Sequence, residues 1–204
     1  MVDAEEIRRA AEALRQGLLV ILPTDTVYGV AAHPSVPAAV ERLFAVKGRE
    51  AGKPVPLLAG SVEDIEGYGA EFTGADRRLA AAFWPGPLTI VLNLRRRNGG
   101  RTEGGAGGRT EGFRVPRHDT ALALLAAAGG ILRVTSANLS GEPPALTARD
   151  AQRALAPHAC VVLDAGPAPG GVASSVVKVV GESIEILREG AVPREDILRV
   201  AFSC

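Results

Sequence analysis

FWPGPLTIVLNL, residues 83–94, is where the reading of the fold starts. The run LTIVLNL (88–94) is the strongest strand signal in the chain, and Pro85-Gly86-Pro87 sets a turn just before it. The only tryptophan, Trp84, sits at that turn and reads as a buried structural anchor or as a piece of pocket wall. Working outward, strands are predicted at 18–22, 55–59, 112–115, 131–135 and 160–163. Helices are predicted at 4–16, 36–46, near 61–66, and at 75–83, 119–128 and 147–156. Two β-branched runs, 174–180 and 183–188, make a hairpin around Gly181-Glu182, and a short helix starts at Pro193. Helices alternating with strands imply an α/β (α+β) fold, a sheet flanked by helices. The closing hairpin favours a mixed sheet over a purely parallel one.

Composition narrows the function class. The 204 residues are expected to form a single domain, 1–204, and 47% are apolar. A globule of this size buries roughly 70% of the surface its unfolded chain exposes. Lys+Arg and Asp+Glu are both 23, so the net charge is zero. Nucleic-acid binding by bulk charge is thereby disfavoured, while a local basic pocket stays open. Only three residues are lysine (Lys47, Lys53, Lys178), so each stands out. The two cysteines have no CxxC partner, and Cys160, ahead of an apolar run, reads as a buried thiol. The charged start MVDAEEIRRA has no signal-peptide core, and apolar runs such as LLVIL (18–22) are too short to span a bilayer. The expectation is a cytoplasmic protein with no membrane association. The Gly-rich segment 95–112, in which GGRTEG occurs twice, reads as a flexible hairpin loop enlarged by duplication or as a basic lid over a polyanion.

The chemistry concentrates in loops. PTDTVYG (23–29) follows a buried strand, where α/β folds place ligands. Its hydroxyls and carboxylate either cap their own backbone or face a ligand. KGREAGKP (47–54) clusters Lys47, Arg49 and Lys53 after a helix C-terminus, suiting the helix dipole or cradling a triphosphate. It is no Walker loop, because Pro54 stands where Ser/Thr is required. FRVPRH (113–118) carries Arg114 at a strand end, a fair carboxylate or phosphate ligand, and His118 at a helix N-cap position. VTSANLSG (134–141) offers hydroxyls, an amide and backbone N–H groups. The three histidines lack metal-ligand spacing, and there is no GxSxG elbow. Cations, hydroxyls and amides on loops are equipment for positioning and charge neutralisation.

Taken together and in this order, PTDTVYG, KGR with KP beyond it, FWPGPLT, RVPRH, TSANLSG and a Ser-Ser strand followed by LREG resemble the YrdC/TsaC family of L-threonylcarbamoyladenylate synthases. The resemblance runs from about residue 10 to 192 and is to the short, single-domain members. It implies a YrdC-like twisted mixed sheet around a large, concave, positively charged cavity. It implies the conversion of L-threonine, bicarbonate and ATP to threonylcarbamoyl-AMP and pyrophosphate. The product would pass to the machinery that makes threonylcarbamoyladenosine in tRNA, with Mg²⁺ delivered by ATP and no protein metal site. By motif matching, Thr26, Tyr28, Arg114, Val134 (through its backbone) and Ser174 would hold threonine. Lys47, Arg49, Lys53, Thr110, Ser136, Asn138, Pro144 and Arg188 would contact ATP, with Lys47 and Arg49 catalytic. Leu58 stands where many relatives carry a histidine. Two rivals stay open: an RNA-binding, ribosome-maturation module, and a carbamoyl-adenylate former using carbamoyl phosphate.

Overall fold

The computed structural model describes residues 2–47, 55–95, 109–158 and 160–203. The expectations for Arg49, Lys53, most of the Gly-rich segment and the Cys160 thiol lie outside what is described.

The described residues contain ten strands: β1 (Leu19–Leu22), β2 (Gly29–Ala32), β3 (Leu57–Ala59), β4 (Ala70–Glu71), β5 (Leu88–Leu94), β6 (Thr110–Arg114), β7 (Ile131–Ser136), β8 (Cys160–Val162), β9 (Ser175–Val180) and β10 (Ser183–Arg188). They form one sheet in the order β10-β9-β5-β6-β3-β7-β2-β1-β8, with β4 paired to β5. The pairs β1–β8, β3–β6 and β5–β9 are parallel and the rest antiparallel, so the sheet is mixed as expected.

Among the described residues seven α-helices flank it: α1 (Ala4–Arg15), α2 (Pro37–Val46), α3 (Val62–Tyr68), α4 (Gly74–Phe83), α5 (Asp119–Ala128), α6 (Ala148–Ala154) and α7 (Arg194–Ala201). Local chemistry sets several starts. Asp3 and Glu6 close a capping box on α1, and Thr73 and Asp76 close one on α4. The helix expected over 147–156 stops at Ala154 and resumes as a 3₁₀ turn at Ala156–His158. Pro157, which lacks a backbone N–H, is the reason the α-helix cannot run on. Two strands escape the sequence pattern. β2 is GVAA, four small residues with no alternation, and β4 has two residues.

The position of the cavity follows from which sheet faces are covered. Along β1, Val20 and Leu22 pack under α1 and α5, while Leu19 and Ile21 pack under α2 and α6. Both faces are buried, so the strand reads as an unbroken apolar run. Along β5, Leu88, Ile90 and Leu92 enter a core with Leu79 of α4, Ile197 of α7 and Trp84. Thr89 and Val91 point to the opposite face, because side chains alternate along a strand. No helix covers that face in the described residues, and the cavity opens there. Trp84 is buried, its indole N–H donating to Leu88 O at 2.6 Å, which settles it as a structural anchor.

Phe113 is fully buried at the centre of this half and meets Tyr68 edge-on at 5.7 Å. Phe113→Ala is expected to lower the unfolding free energy by about 3–5 kcal/mol, read as a lower urea midpoint at an unchanged slope.

Candidate active site

The cavity has a volume of about 510 Å³. Its floor is the uncovered face of β5, β6, β9 and β10, and its walls come from Thr24, residues 26–29, Leu58 and 134–136. The lining is mixed in charge: Arg114, Arg188 and Lys178 stand with Glu111 and Glu185.

Arg114 is the last residue of β6, and alternation turns it to the opposite face from Phe113. Its guanidinium is buried and held at three points. Nη2 meets Asp25 Oδ1 at 2.6 Å, Nη1 donates to Thr26 Oγ1 at 3.0 Å, and Nε donates to Gly86 O at 2.9 Å. Burial pushes its pKa down, Asp25 pulls it back up, and Arg188 adds to the lowering. The group stays charged, because arginine does not deprotonate in proteins. Asp25 Oδ1 also accepts the backbone N–H of Arg117 at 3.1 Å, tying the RVPR segment to the PTDT loop. Thr24 Oγ1 lies 2.9 Å from Thr26 Oγ1 and 2.7 Å from Val27 O, which stiffens that loop from inside.

At the other edge of the floor, Ser174 Oγ is 2.9 Å from Thr89 Oγ1 and accepts from Arg188 Nη2 at 3.1 Å. Arg188 also donates twice to Ser174 O, at 2.8 and 3.1 Å. Ser175 points the other way, its hydroxyl donating to Val192 O at 2.7 Å. The LREG turn fits here only with glycine. A Cβ on Gly190 would lie 2.4 Å from Ala173 O and 2.5 Å from the Ser174 carbonyl carbon.

Lys47 caps the end of α2 and is 3% exposed. Its ammonium donates to Ser136 O at 2.7 Å, to Asn138 Oδ1 at 2.8 Å and to Asn138 O. Asn138 Nδ2 in turn donates to Glu142 O at 2.5 Å. Lys47 thus holds the TSAN loop from behind, and Ser136 of that loop faces the cavity.

The structure brings together Thr26, Arg114, Val134 and Ser174, and places Thr110, Ser136 and Arg188 on the same lining. Tyr28 contributes to the wall, but its hydroxyl donates to Gly166 O at 2.6 Å, and burial raises its pKa. Lys47 and Asn138 sit one layer behind, and Pro144 is half-buried away from the described lining. Sequence reasoning missed Asp25 as the partner of Arg114. Its only signal was the carboxylate inside PTDT. It also missed Thr89 and the Gly86 carbonyl, which belonged to motifs read as structural.

His118 occupies the N-cap position of α5, yet its side chain makes no capping bond. Its Nδ1 is buried without a partner. Burial lowers its pKa below the ordinary 6.5, against the pull of Asp25 and Asp119.

Comparison with known proteins now bears on this site. The sequence profile of the Sua5/YciO/YrdC family, described as telomere recombination, matches residues 12–190. The chain belongs to this family. A Mycobacterium tuberculosis (strain ATCC 25618 / H37Rv) relative is 39% identical over 191 residues, 94% of this chain and 87% of that protein. The threonylcarbamoyl-AMP synthase of Pyrococcus abyssi (strain GE5 / Orsay) is 34% identical over 199 residues, 98% of this chain and 58% of that protein. The solved structure of P. abyssi Sua5 complexed with L-threonine superposes with a TM-score of 0.85 at 32% identity, again covering 98% of this chain and 58% of the other. The chain therefore spans a little over half the length of the P. abyssi protein.

Two outcomes follow from the charges. Asp25→Ala strands the buried Arg114 cation and is expected to cost about 3–5 kcal/mol in chemical denaturation, with Asp25→Asn milder. A folded-state histidine pKa below the unfolded value means that the folded state binds fewer protons. The stability is full above pH 6.5 and is lost as pH falls below it. His118→Asn should flatten that fall in melts run from pH 7 to pH 5.

Proposed function

We propose that this chain is a threonylcarbamoyl-AMP synthase that joins L-threonine, bicarbonate and the AMP moiety of ATP, releasing pyrophosphate and water. The observation that carries the reading is the meeting of Thr26, Arg114 and Ser174 around one cavity. That cavity lies in a family member whose named relatives include synthases of this kind. Those names favour this reading over an RNA-binding module or a carbamoyl-adenylate former. The volume of about 510 Å³ is within the range of small-molecule sites, roughly 300–1,000 Å³.

In this proposal the threonine carboxylate lies against Arg114, and its hydroxyl and amine lie near Thr26, Ser174 and the Val134 backbone. The amine takes up bicarbonate as an N-carboxylate, losing water. A carbamate oxygen then attacks the α-phosphorus of ATP. The new O–P bond forms as the α–β P–O bond breaks, and the electron pair leaves with pyrophosphate. No protein nucleophile enters. The chain contributes orientation and fixed positive charge. Ser136, Asn138, Thr110, Pro144 and Arg188 would contact the nucleotide, and Lys47, Arg49 and Lys53 its phosphates, with Lys47 also fixing the loop that presents Ser136. Among the described residues no cluster of three or more His, Cys, Asp or Glu could hold a metal. In this proposal Mg²⁺ comes as the counter-ion of ATP. No described helix is long and apolar enough to cross a membrane. A cytoplasmic enzyme built as one unit, handing its product to the tRNA-modifying machinery, completes the proposal.

The test is mass spectrometry of the protein with ATP, Mg²⁺, L-threonine and bicarbonate, omitting each in turn, with early time points and pyrophosphate detection. A threonylcarbamoyl-AMP mass that needs every component is expected. ATP binding with no adduct would refute the activity. Lys47→Ala and Arg49→Ala should each slow turnover at least about tenfold. Near wild-type turnover in both would remove these residues from the phosphate site.

A further inference from the structure

The strand register divides the cavity floor into rows. In the first row Arg188 pairs with Val176, Val176 with Thr89, and Arg114 with Leu58. Continuing the Ile90↔Phe113 pairing sets Thr89 opposite Arg114. In the second row Glu185 pairs with Lys178, Lys178 with Val91, and Val91 with Gly112. The third row contains Thr110, opposite Asn93. Rows of side chains on one face of a sheet are two residues apart, about 6–7 Å.

Among the described residues Lys178 is the only cation of the middle row. It is half-buried and lines the cavity, and among the described residues its ammonium makes no hydrogen bond or ion pair, even with Glu185 directly across the strands. The floor next to it is flat. Val91 lies beside the lysine stem, and beyond it Gly112 has no side chain. A Cβ there would press on Thr89 at 3.2 Å and touch Pro56 at 3.5 Å. An ammonium on a cavity lining with no hydrogen bond or ion pair to the described residues favours an anionic ligand.

Resting on the function proposed above, the rows say which anion. The amino-acid carboxylate belongs to Arg114 on β6, and the nucleotide runs from Thr110 in the third row toward Arg188 at the far, β10 edge of the first. The bond made in the reaction joins the two, so the carbamate oxygen and the α-phosphate must lie over the row between. We infer that Lys178 is a substrate-contacting residue that neutralises this carbamate–α-phosphate junction as the O–P bond forms and pyrophosphate departs.

The test uses the full chain with Lys178→Met, which keeps the aliphatic stem and removes the charge, and Lys178→Arg, which restores the charge. Lys178→Gln replaces the methionine variant if that one melts early. AMP carries the α-phosphate alone, so AMP titration by calorimetry reads this subsite. The neutral variant should bind AMP at least about fivefold more weakly, and turn over at least about tenfold more slowly at saturating L-threonine, bicarbonate and ATP. Lys178→Arg should recover most of both. Unchanged AMP affinity and unchanged turnover in the neutral variant would overturn the inference. Lys178-dependent AMP binding by a wild-type protein that makes no threonylcarbamoyl-AMP would overturn the proposed function while upholding Lys178 as a phosphate-binding residue.

Discussion

A guanidinium withdrawn from water is costly, by several kcal/mol, unless its N–H groups are matched. Arg114 meets that condition with three partners from two separate segments: Asp25 and Thr26 of the loop after β1, and the Gly86 carbonyl of the turn before β5. The constraint works in both directions. The segments bury the charge, and the charge fixes where the segments stand relative to β6. Asp25 extends the hold to the backbone of Arg117. The amino-acid end of the cavity is therefore organised by electrostatics before any substrate arrives, the kind of preorganisation that charge-stabilising catalysis requires.

The cavity itself is a consequence of uneven coverage. The β1 end of the sheet is buried on both faces, and the β5-β6-β9 end on one. Alternation then divides each strand of that end between two duties. Leu88, Ile90, Leu92, Phe113 and Val177 build a core, while Thr89, Val91, Arg114, Val176 and Lys178 form the floor. Stability and function are interleaved residue by residue, so a one-residue slip in register would exchange them.

The second buried cation obeys the same rule as the first. Lys47 is matched by carbonyl oxygens of Ser136 and Asn138 and by the Asn138 amide oxygen. A residue near the end of α2 thereby sets the shape of a loop that follows β7, on the opposite wall from Arg188. The two ends of the cavity are stiffened by different cations with different partners, and Lys178 lies on the floor between the Arg114 and Thr110 rows.

The strong elements were legible in the sequence because they carry their cause locally. LTIVLNL is an uninterrupted strand, Asp3–Glu6 and Thr73–Asp76 are capping boxes, and the Gly181-Glu182 turn is bounded by β-branched runs. The ordered motifs likewise named most of the residues that line the cavity. Beyond the reach of the pattern were features whose cause is distant in the chain. β2 is a strand because Gly29–Ala32 finds β1 and β7 on either side, whereas GVAA has no period of its own. Asp25 and Arg114 are 89 residues apart, so neither predicts the other, and Lys178 was one more residue of a hairpin until register set it beside Val91. The sequence by itself determined the elements, their order and the chemical kinds of group available, because capping, periodicity and turn chemistry act within a few residues. Only the tertiary structure decided which charges are paired with which, because pairing depends on distances that folding alone creates.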